Sequence, residues 1–503
     1  MLLGMTLTYH LNSLHTHCGV NPRVFLFLAF ITPLMFRAFP ELLMGKYIVG
    51  FDIISYYVPV TLQWVSNGVN VWEFIGCAPL FYSLLVALTL IGIPLTVTLK
   101  ILPSLMHGFL GLAVYFYAKK GLAWSYRKSL FASSLATLYF VSLRISWDML
   151  RCELGLVFLF VFLTILHRYL DSNYRKSFGI LSLCMVLVVL AHQLVATIMF
   201  IIILAVILKR LVSHDYEKAK YFILSSMPAA MLFILVIYAY FVVLPSIQDV
   251  GGFASSRSEW LALFGYSTVY ESVANTLGFL IYCYLPLFPF IYVGIKNLDS
   301  IELKAWSVWC LIAVLLPFFI PSAPASYRWI LLLVFPMAFF TVEGFQRVNF
   351  KFWKKGWTAL LVLLSLSFIF LPAEIAFPYF RIFPYYVPSS MLQNSVPLSD
   401  CADVVNVLSW IEANAENHTI LLVHAAFHGW ALLYSDNSSI QIVNYRYAIP
   451  EEAAQAIYED GHLKAYLIWW IPGEGWHGLA SLPPCFIEVF RSGRIAAYEY
   501  VEV

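Results

Sequence analysis

Apolar residues dominate eleven stretches between Pro22 and Leu371, each near the length that crosses a bilayer. Their cores run over 22–42, 102–118, 129–145, 151–167, 178–191, 194–208, 221–244, 275–295, 305–320, 328–346 and 356–371. A helix rises about 1.5 Å per residue and the hydrocarbon core is about 30 Å thick, so roughly twenty apolar residues span it. The run from Phe178 to Leu208 is too long for one span, at about 46 Å. Its polar point, Ala191-His192-Gln193, divides it into two short spans with a turn between them. The stretch 78–99 contains Pro79, Gly92 and Pro94 and reads as a broken interfacial or re-entrant piece.

The pattern changes after Leu371. Val404 to Ile411 has helical apolar spacing, and Glu451 to Tyr458 also reads as a helix. Ile420 to Val423, Tyr466 to Trp469, Phe486 to Phe490 and Ile495 to Tyr500 read as strands. The predicted fold is therefore a polytopic α-helical membrane protein with about eleven transmembrane helices and a small C-terminal external α/β domain. The helical domain covers 1–372, with a large first outer loop at 43–100, and the external domain covers 373–503.

Composition agrees. Of 503 residues, 61% are hydrophobic and only 12% charged, about half the charge of a soluble chain. This excludes a soluble enzyme, a disordered chain and a nucleic-acid binder with a basic face. The net charge of +2 hides two regions of opposite sign. Residues 1–372 hold 25 Lys and Arg against 14 Asp and Glu, and residues 373–503 hold 5 against 14. With a division at His192, predicted inner loops carry 17 of the basic residues and outer segments carry 6: Lys46, Lys100, Arg144, Arg151, Arg257 and Arg328. With 178–208 as one span the distribution becomes 9 inside and 14 outside, against the positive-inside rule. The predicted amino terminus is therefore cytoplasmic and the C-terminal domain external, in the plasma membrane or, in a eukaryote, the endoplasmic reticulum.

The outer segments also gather the carboxylates. Asp52 lies in Gly50-Phe51-Asp52-Ile53-Ile54-Ser55-Tyr56-Tyr57-Val58-Pro59. Phe51, Ile54, Val58, Leu62 and Val65 recur at helical spacing, which predicts an amphipathic helix along the membrane interface. A carboxylate at its start is placed to take a proton from a hydroxyl arriving from outside. The competing reading is a helix N-cap, where Asp is common.

The ordered set of short motifs resembles the GT-C superfamily of polytopic glycosyltransferases, which use polyprenyl-phosphate sugars; protein mannosyltransferases and aminoarabinose transferases are of this kind. The set comprises G-F-D-x-x-x-Y-x-x-P at Gly50–Pro59, A-P-L-F-Y at Ala78–Tyr82, a span ending in Ala118-Lys119-Lys120, R-x-E at Arg151–Glu153, and Tyr327-Arg328 followed by Phe335-Pro336. The resemblance covers roughly residues 20–372. It implies that Asp52 is the catalytic base and that Arg328, Arg257 and Tyr327 bind the donor phosphate. It also implies Asp148 and Glu153 as second-acid candidates, and Arg151, His192 and Tyr56 as substrate-binding residues. The partners it implies are a polyprenyl-phosphate sugar, a glycan, lipid or protein acceptor, and the bilayer. Snorkelling at helix ends is the ordinary alternative for each arginine, and helix capping for His192.

The chain departs from oligosaccharide-transferring relatives. It lacks a D-x-D or E-x-D pair in the second outer loop, and Trp469-Trp470 is followed by Ile471-Pro472-Gly473 rather than an acid. A monosaccharide donor and no metal are expected, although a divalent metal remains compatible. In the external domain, Phe427-His428-Gly429-Trp430 and Gly473 to Gly478 read as aromatic loops that stack on a sugar or anchor at the lipid interface. His424 and His428 have the spacing of a helical metal pair without an evident third ligand. Cys401 and Cys485 are candidates for a disulfide. Two other functions fit the composition: a transporter or flippase of lipid-linked sugars, and a catalytically inactive glycan-binding membrane protein. A transporter predicts internal repeats and polar mid-membrane residues, whereas here the polar groups collect at one face.

Overall fold

The computed structural model describes residues 21–171, 174–243, 268–316, 326–349, 351–372, 390–435, 440–445, 464–475 and 482–501. The chain forms two compact units. The first takes in Met1–Phe39, Val69–Leu84 and Ile101–Ser389, and the second Pro40–Gly68, Leu85–Lys100 and Ser390–Val503.

The predicted apolar cores are mostly helical where they are described, with breaks at Tyr139, 285–287 and Leu333. Among the described residues, six helices are long and apolar enough to cross a membrane: Pro22–Leu43, Leu95–Gly121, Leu150–His167, Gln193–Val212, Tyr216–Val243 and Tyr327–Arg347. Two bent pairs raise the number to eight if each is one span. They are Tyr126–Leu138 with Phe140–Asp148, bent by 58°, and Tyr270–Tyr284 with Phe288–Asn297, bent by 79°. The expected eleven is thus not reached on length and apolarity. The Ile301–Leu315 helix has only 15 residues, and the helix Lys351–Phe370 opens with Lys351, Lys354 and Lys355. The protein is nonetheless an integral membrane protein by its apolar helices.

The polar point at His192 is a helix break. Tyr174–Ala191 ends there, His192 is extended at φ −165° and ψ 130°, and Gln193–Val212 begins. The stretch 78–99 is also broken: Leu80–Leu90 is a helix, Gly92 turns at φ 91°, and the next helix starts at Leu95.

Small residues set a close helix crossing in the first unit. A Cβ on Gly294 would stand 1.8 Å from the Phe340 carbonyl oxygen, and one on Gly344 would stand 2.0 Å from that of Phe290. Helices Phe288–Asn297 and Val334–Arg347 therefore touch backbone to backbone, the contact that small residues permit in apolar surroundings.

The second unit is built on a five-stranded mixed sheet. Its strands are β1 (Thr419–Val423), β2 (Ile440–Asn444), β3 (Lys464–Trp470), β4 (Phe486–Ser492) and β5 (Ile495–Tyr500). Their spatial order is β2-β1-β3-β5-β4. Strand β1 runs parallel to β2 and β3, while β5 runs antiparallel to β3 and β4. Helix Cys401–Asn414 buries Val404, Val407, Leu408 and Ile411, the stripe read from the sequence. Its Trp410 stacks on Phe490 of β4 at 5.1 Å.

Two expectations for this region are corrected. Phe427 to Trp430 is not a loop but part of helix Ala425–Tyr434, with Phe427 and Trp430 buried. Apolar burial, rather than display to a ligand, fixes those rings. Cys401 and Cys485 are both buried and form no disulfide with each other. Strand β2 had not been anticipated. The expected helix Glu451–Tyr458 lies outside the described residues.

Candidate active site

Asp52 belongs to the second unit, in a segment held by residues from the far end of the chain. Gly50 adopts φ 103°, a conformation that favours glycine, and donates its N–H to the Gln393 carbonyl at 3.1 Å. Asn394 donates its side-chain amide to the Ile48 carbonyl at 2.8 Å and accepts from the Val396 N–H at 2.9 Å. Ile48 and Val49 are fully buried. The backbone entering the Asp52 turn is thereby fixed by the 393–394 segment.

Asp52 itself is half-buried and helical, at φ −62° and ψ −24°. It makes no capping bond to the helix it precedes, so helix capping does not explain it. The next turn, Ile53–Tyr57, is wound as a π-helix, and Val58–Asn67 continues as an α-helix. Such wide turns concentrate at functional sites. Here the extra width rotates the buried face. Ile54, Tyr57, Val58, Thr61 and Trp64 are buried, whereas Leu62 and Val65 of the predicted face are only partly so. The face packs on helix Ala425–Tyr434, where a Cβ on Gly429 would lie 1.6 Å from the Ile54 carbonyl oxygen. Tyr56 is half-buried and meets Phe51 edge to face at 6.2 Å. Lys100 is drawn inward, donating to the Tyr47 carbonyl at 2.6 Å and the Glu41 carbonyl at 3.1 Å, with the Glu41 carboxylate at 3.6 Å.

The cationic candidates lie in the first unit. Arg151 stands in the first turn of helix Leu150–Asp171. Its Nη2 donates to Gln193 Oε1 at 3.3 Å, and its guanidinium lies 5.3 Å from the Tyr82 ring centre. Arg328 donates from Nε to Tyr327 Oη at 3.2 Å. The charges of Arg151 and Arg328 both act on the buried His192 imidazole and on the Tyr240 phenol. Four expected site residues, Arg151, His192, Tyr327 and Arg328, thus share one electrostatic neighbourhood with Tyr240, which sequence reasoning had missed.

The second-acid candidates are both buried and engaged. Asp148 pairs with Arg144 one helical turn earlier. Glu153 meets His107 Nδ1 at 2.5 Å, and His107 Nε2 lies 3.0 Å from the Thr137 carbonyl. A carbonyl only accepts, so Nε2 carries a proton and a second proton is shared between Nδ1 and Glu153. His107 was detectable in principle, since a histidine inside an apolar span is costly and seldom incidental. Arg257 lies outside the described residues.

Among the described residues no group of three His, Cys, Asp or Glu is placed to hold a metal ion. His424 instead caps helix Ala425–Tyr434, accepting the Ala426 N–H at 3.2 Å. His428 contacts the Asn444 amide at 3.4 Å, and burial pulls its pKa down to about 4.

No protein-family model and no curated protein sequence matches the chain. Solved structures do match. The chain is similar to ArnT from Cupriavidus metallidurans, crystallised with undecaprenyl phosphate, with a TM-score of 0.53 and 13% identity over 93% of this chain and 97% of that one. It also matches the Archaeoglobus fulgidus oligosaccharyltransferase in complex with zinc and sulfate, with a TM-score of 0.48 and 12% identity over 88% of this chain and 67% of that one. The likeness to ArnT spans nearly the whole of both chains, and the fold is that of the GT-C proteins its motifs resemble.

Proposed function

We propose that the protein is an inverting membrane glycosyltransferase that moves a sugar from a polyprenyl phosphate to an acceptor hydroxyl on the external face of the membrane. The observation that carries this reading is the Arg151 guanidinium at the head of its helix, held by Gln193 Oε1 at 3.3 Å and by the Tyr82 ring at 5.3 Å. A guanidinium suits a phosphate leaving group, which it binds through paired N–H bonds, and Arg328 offers a second one. The undecaprenyl phosphate in the ArnT crystal supports a lipid phosphate as the ligand.

In this reading Asp52 removes the proton of the acceptor hydroxyl. The freed oxygen attacks the anomeric carbon, the carbon–oxygen bond to phosphate breaks, and the polyprenyl phosphate departs with inversion at carbon. Arg328, oriented by Tyr327, and Arg151 bind the charge that develops on the leaving phosphate. His192 and Tyr56 contact substrate. Asp148 pairs with Arg144 and Glu153 with His107, and Asp52 is taken as the base because its Gly50–Pro59 stretch resembles the one that carries the base in GT-C enzymes. The amino terminus is cytoplasmic, and residues 373–503 form the external domain.

The test is turnover by the purified protein in lipid nanodiscs, given undecaprenyl-phosphate hexoses and pentoses with hydroxyl acceptors. Release of undecaprenyl phosphate that depends on acceptor is expected. No release from any donor would contradict the proposal.

A further inference from the structure

Gln193 opens its helix directly after the His192 break. Its side-chain amide joins two distant parts of the first unit. Nε2 donates to the Gly76 carbonyl at 2.8 Å, and Oε1 accepts from Arg151 Nη2 at 3.3 Å. One end gives a proton and the other receives one, so the amide has a single orientation that satisfies both partners. A carboxylate in its place satisfies Arg151 only, and a leucine satisfies neither.

The anchor on the other side is well placed. Gly76 closes helix Val71–Gly76, in the last turn where carbonyls lack intrahelical donors. That helix packs on Tyr216–Tyr238 and on the turn Ala239–Val243, with Trp72 edge to face against Tyr238 at 6.1 Å. Tyr82, four residues past the positive-φ turn at Ala78, supplies its ring to the Arg151 guanidinium at 5.3 Å.

An arginine side chain has several free torsions, and ordering it at the moment of binding costs affinity. We propose that Gln193 is the positioning residue that, with Tyr82, holds the Arg151 guanidinium ready for the donor phosphate and ties it to the Val71–Gly76 segment. This rests on the reading of Arg151 as a phosphate ligand given above.

The test is equilibrium binding of undecaprenyl phosphate to the full-length protein in nanodiscs. The variants are Gln193→Glu, Gln193→Leu, Arg151→Ala and the double variant Gln193→Leu/Arg151→Ala, with thermal unfolding measured in parallel. Gln193→Leu is expected to weaken binding about ten-fold, the scale of one lost bond to a charged group, and Gln193→Glu by a similar factor, because its carboxylate loses the tie to Gly76 and pairs with Arg151 in competition with the phosphate. In the double variant the Gln193 penalty should vanish, because Gln193 acts through Arg151. Gln193→Glu is nearly isosteric, so a role in packing alone predicts binding as in the wild type, and that result overturns the inference. Full additivity of the two penalties overturns it as well. If Arg151→Ala loses binding while both Gln193 variants keep it, the inference fails and the phosphate reading stands. If Arg151→Ala binds as the wild type does, the phosphate reading of Arg151 itself fails. Should Gln193→Leu not fold, Gln193→Glu alone decides between clamp and packing.

Discussion

Gly429 and Ile54 touch backbone to backbone: a Cβ on Gly429 would stand 1.6 Å from the Ile54 carbonyl oxygen. Ile54 lies two residues after Asp52, on the π-helical turn. Gly50 is tied to Gln393 on the other side of Asp52. The position of the carboxylate therefore depends on the helix Ala425–Tyr434 and on the segment near 393. Gly429→Ala must push the two helices apart. Overpacking of this kind costs about 1–3 kcal/mol, and we expect a lowered unfolding midpoint with a fall in turnover of about ten-fold or more. Donor-phosphate affinity should change little, since Arg151 and Arg328 lie in the other unit. Turnover and undecaprenyl phosphate binding, measured side by side, check this.

The pair His107–Glu153 gives a second prediction. Both side chains are fully buried, and they meet at 2.5 Å. Breaking a buried pair by removing one partner costs about 3–5 kcal/mol because the other is left stranded. His107→Ala should therefore destabilise strongly, and so should Glu153→Ala. The double change His107→Leu/Glu153→Leu should recover much of the loss, since apolar replacement of a whole pair is often neutral. Unfolding midpoints in nanodiscs decide. Additive losses in the double variant would argue that the two residues act separately.

The sheet-bearing unit should lose stability in mild acid. Burial holds His428 at a pKa of about 4, against 6.5 for a free imidazole. The unfolded chain therefore takes up a proton that the folded one refuses between those values. The contribution is complete above pH 6.5 and is lost as pH falls towards 4, at most about 3 kcal/mol at 1.36 kcal/mol per pH unit. Amide protection in helix Ala425–Tyr434, corrected for intrinsic exchange, should drop between pH 7 and pH 4.5. His428→Gln should flatten that dependence. An unchanged slope in the variant would show that other groups carry it.

The features readable in the sequence were those with a local period. The apolar cores, the break at His192 and four of the five strands follow from runs of residues whose spacing matches helix or strand. Strand β2, Ile-Gln-Ile-Val-Asn, is five residues long and partly exposed at the sheet edge, too short for alternation to stand out. The Phe427–Trp430 segment, read as an aromatic loop that contains Gly429, is helical. That glycine is needed for a close approach to Ile54, a contact between residues far apart in sequence. The site divides in the same way. Asp52, Arg151, His192 and Arg328 stood out as polar groups beside apolar spans. Gln193 and His107 acquire meaning only through Gly76 and Glu153, partners that lie 117 and 46 positions away. Periodicity carries no information about such pairs. The count of eleven spans is not confirmed, because helices such as Ile301–Leu315 are apolar but too short to be assigned as spans on length alone.

The most direct measurement is sugar transfer from an undecaprenyl-phosphate donor by purified wild type and Asp52→Asn, with undecaprenyl phosphate binding measured on both. The amide keeps the size of the carboxylate but is a very poor base. The account predicts that Asp52→Asn binds undecaprenyl phosphate as the wild type does and loses turnover by about 10²–10⁴-fold, the usual worth of a general base. Equal turnover by the two proteins would contradict it.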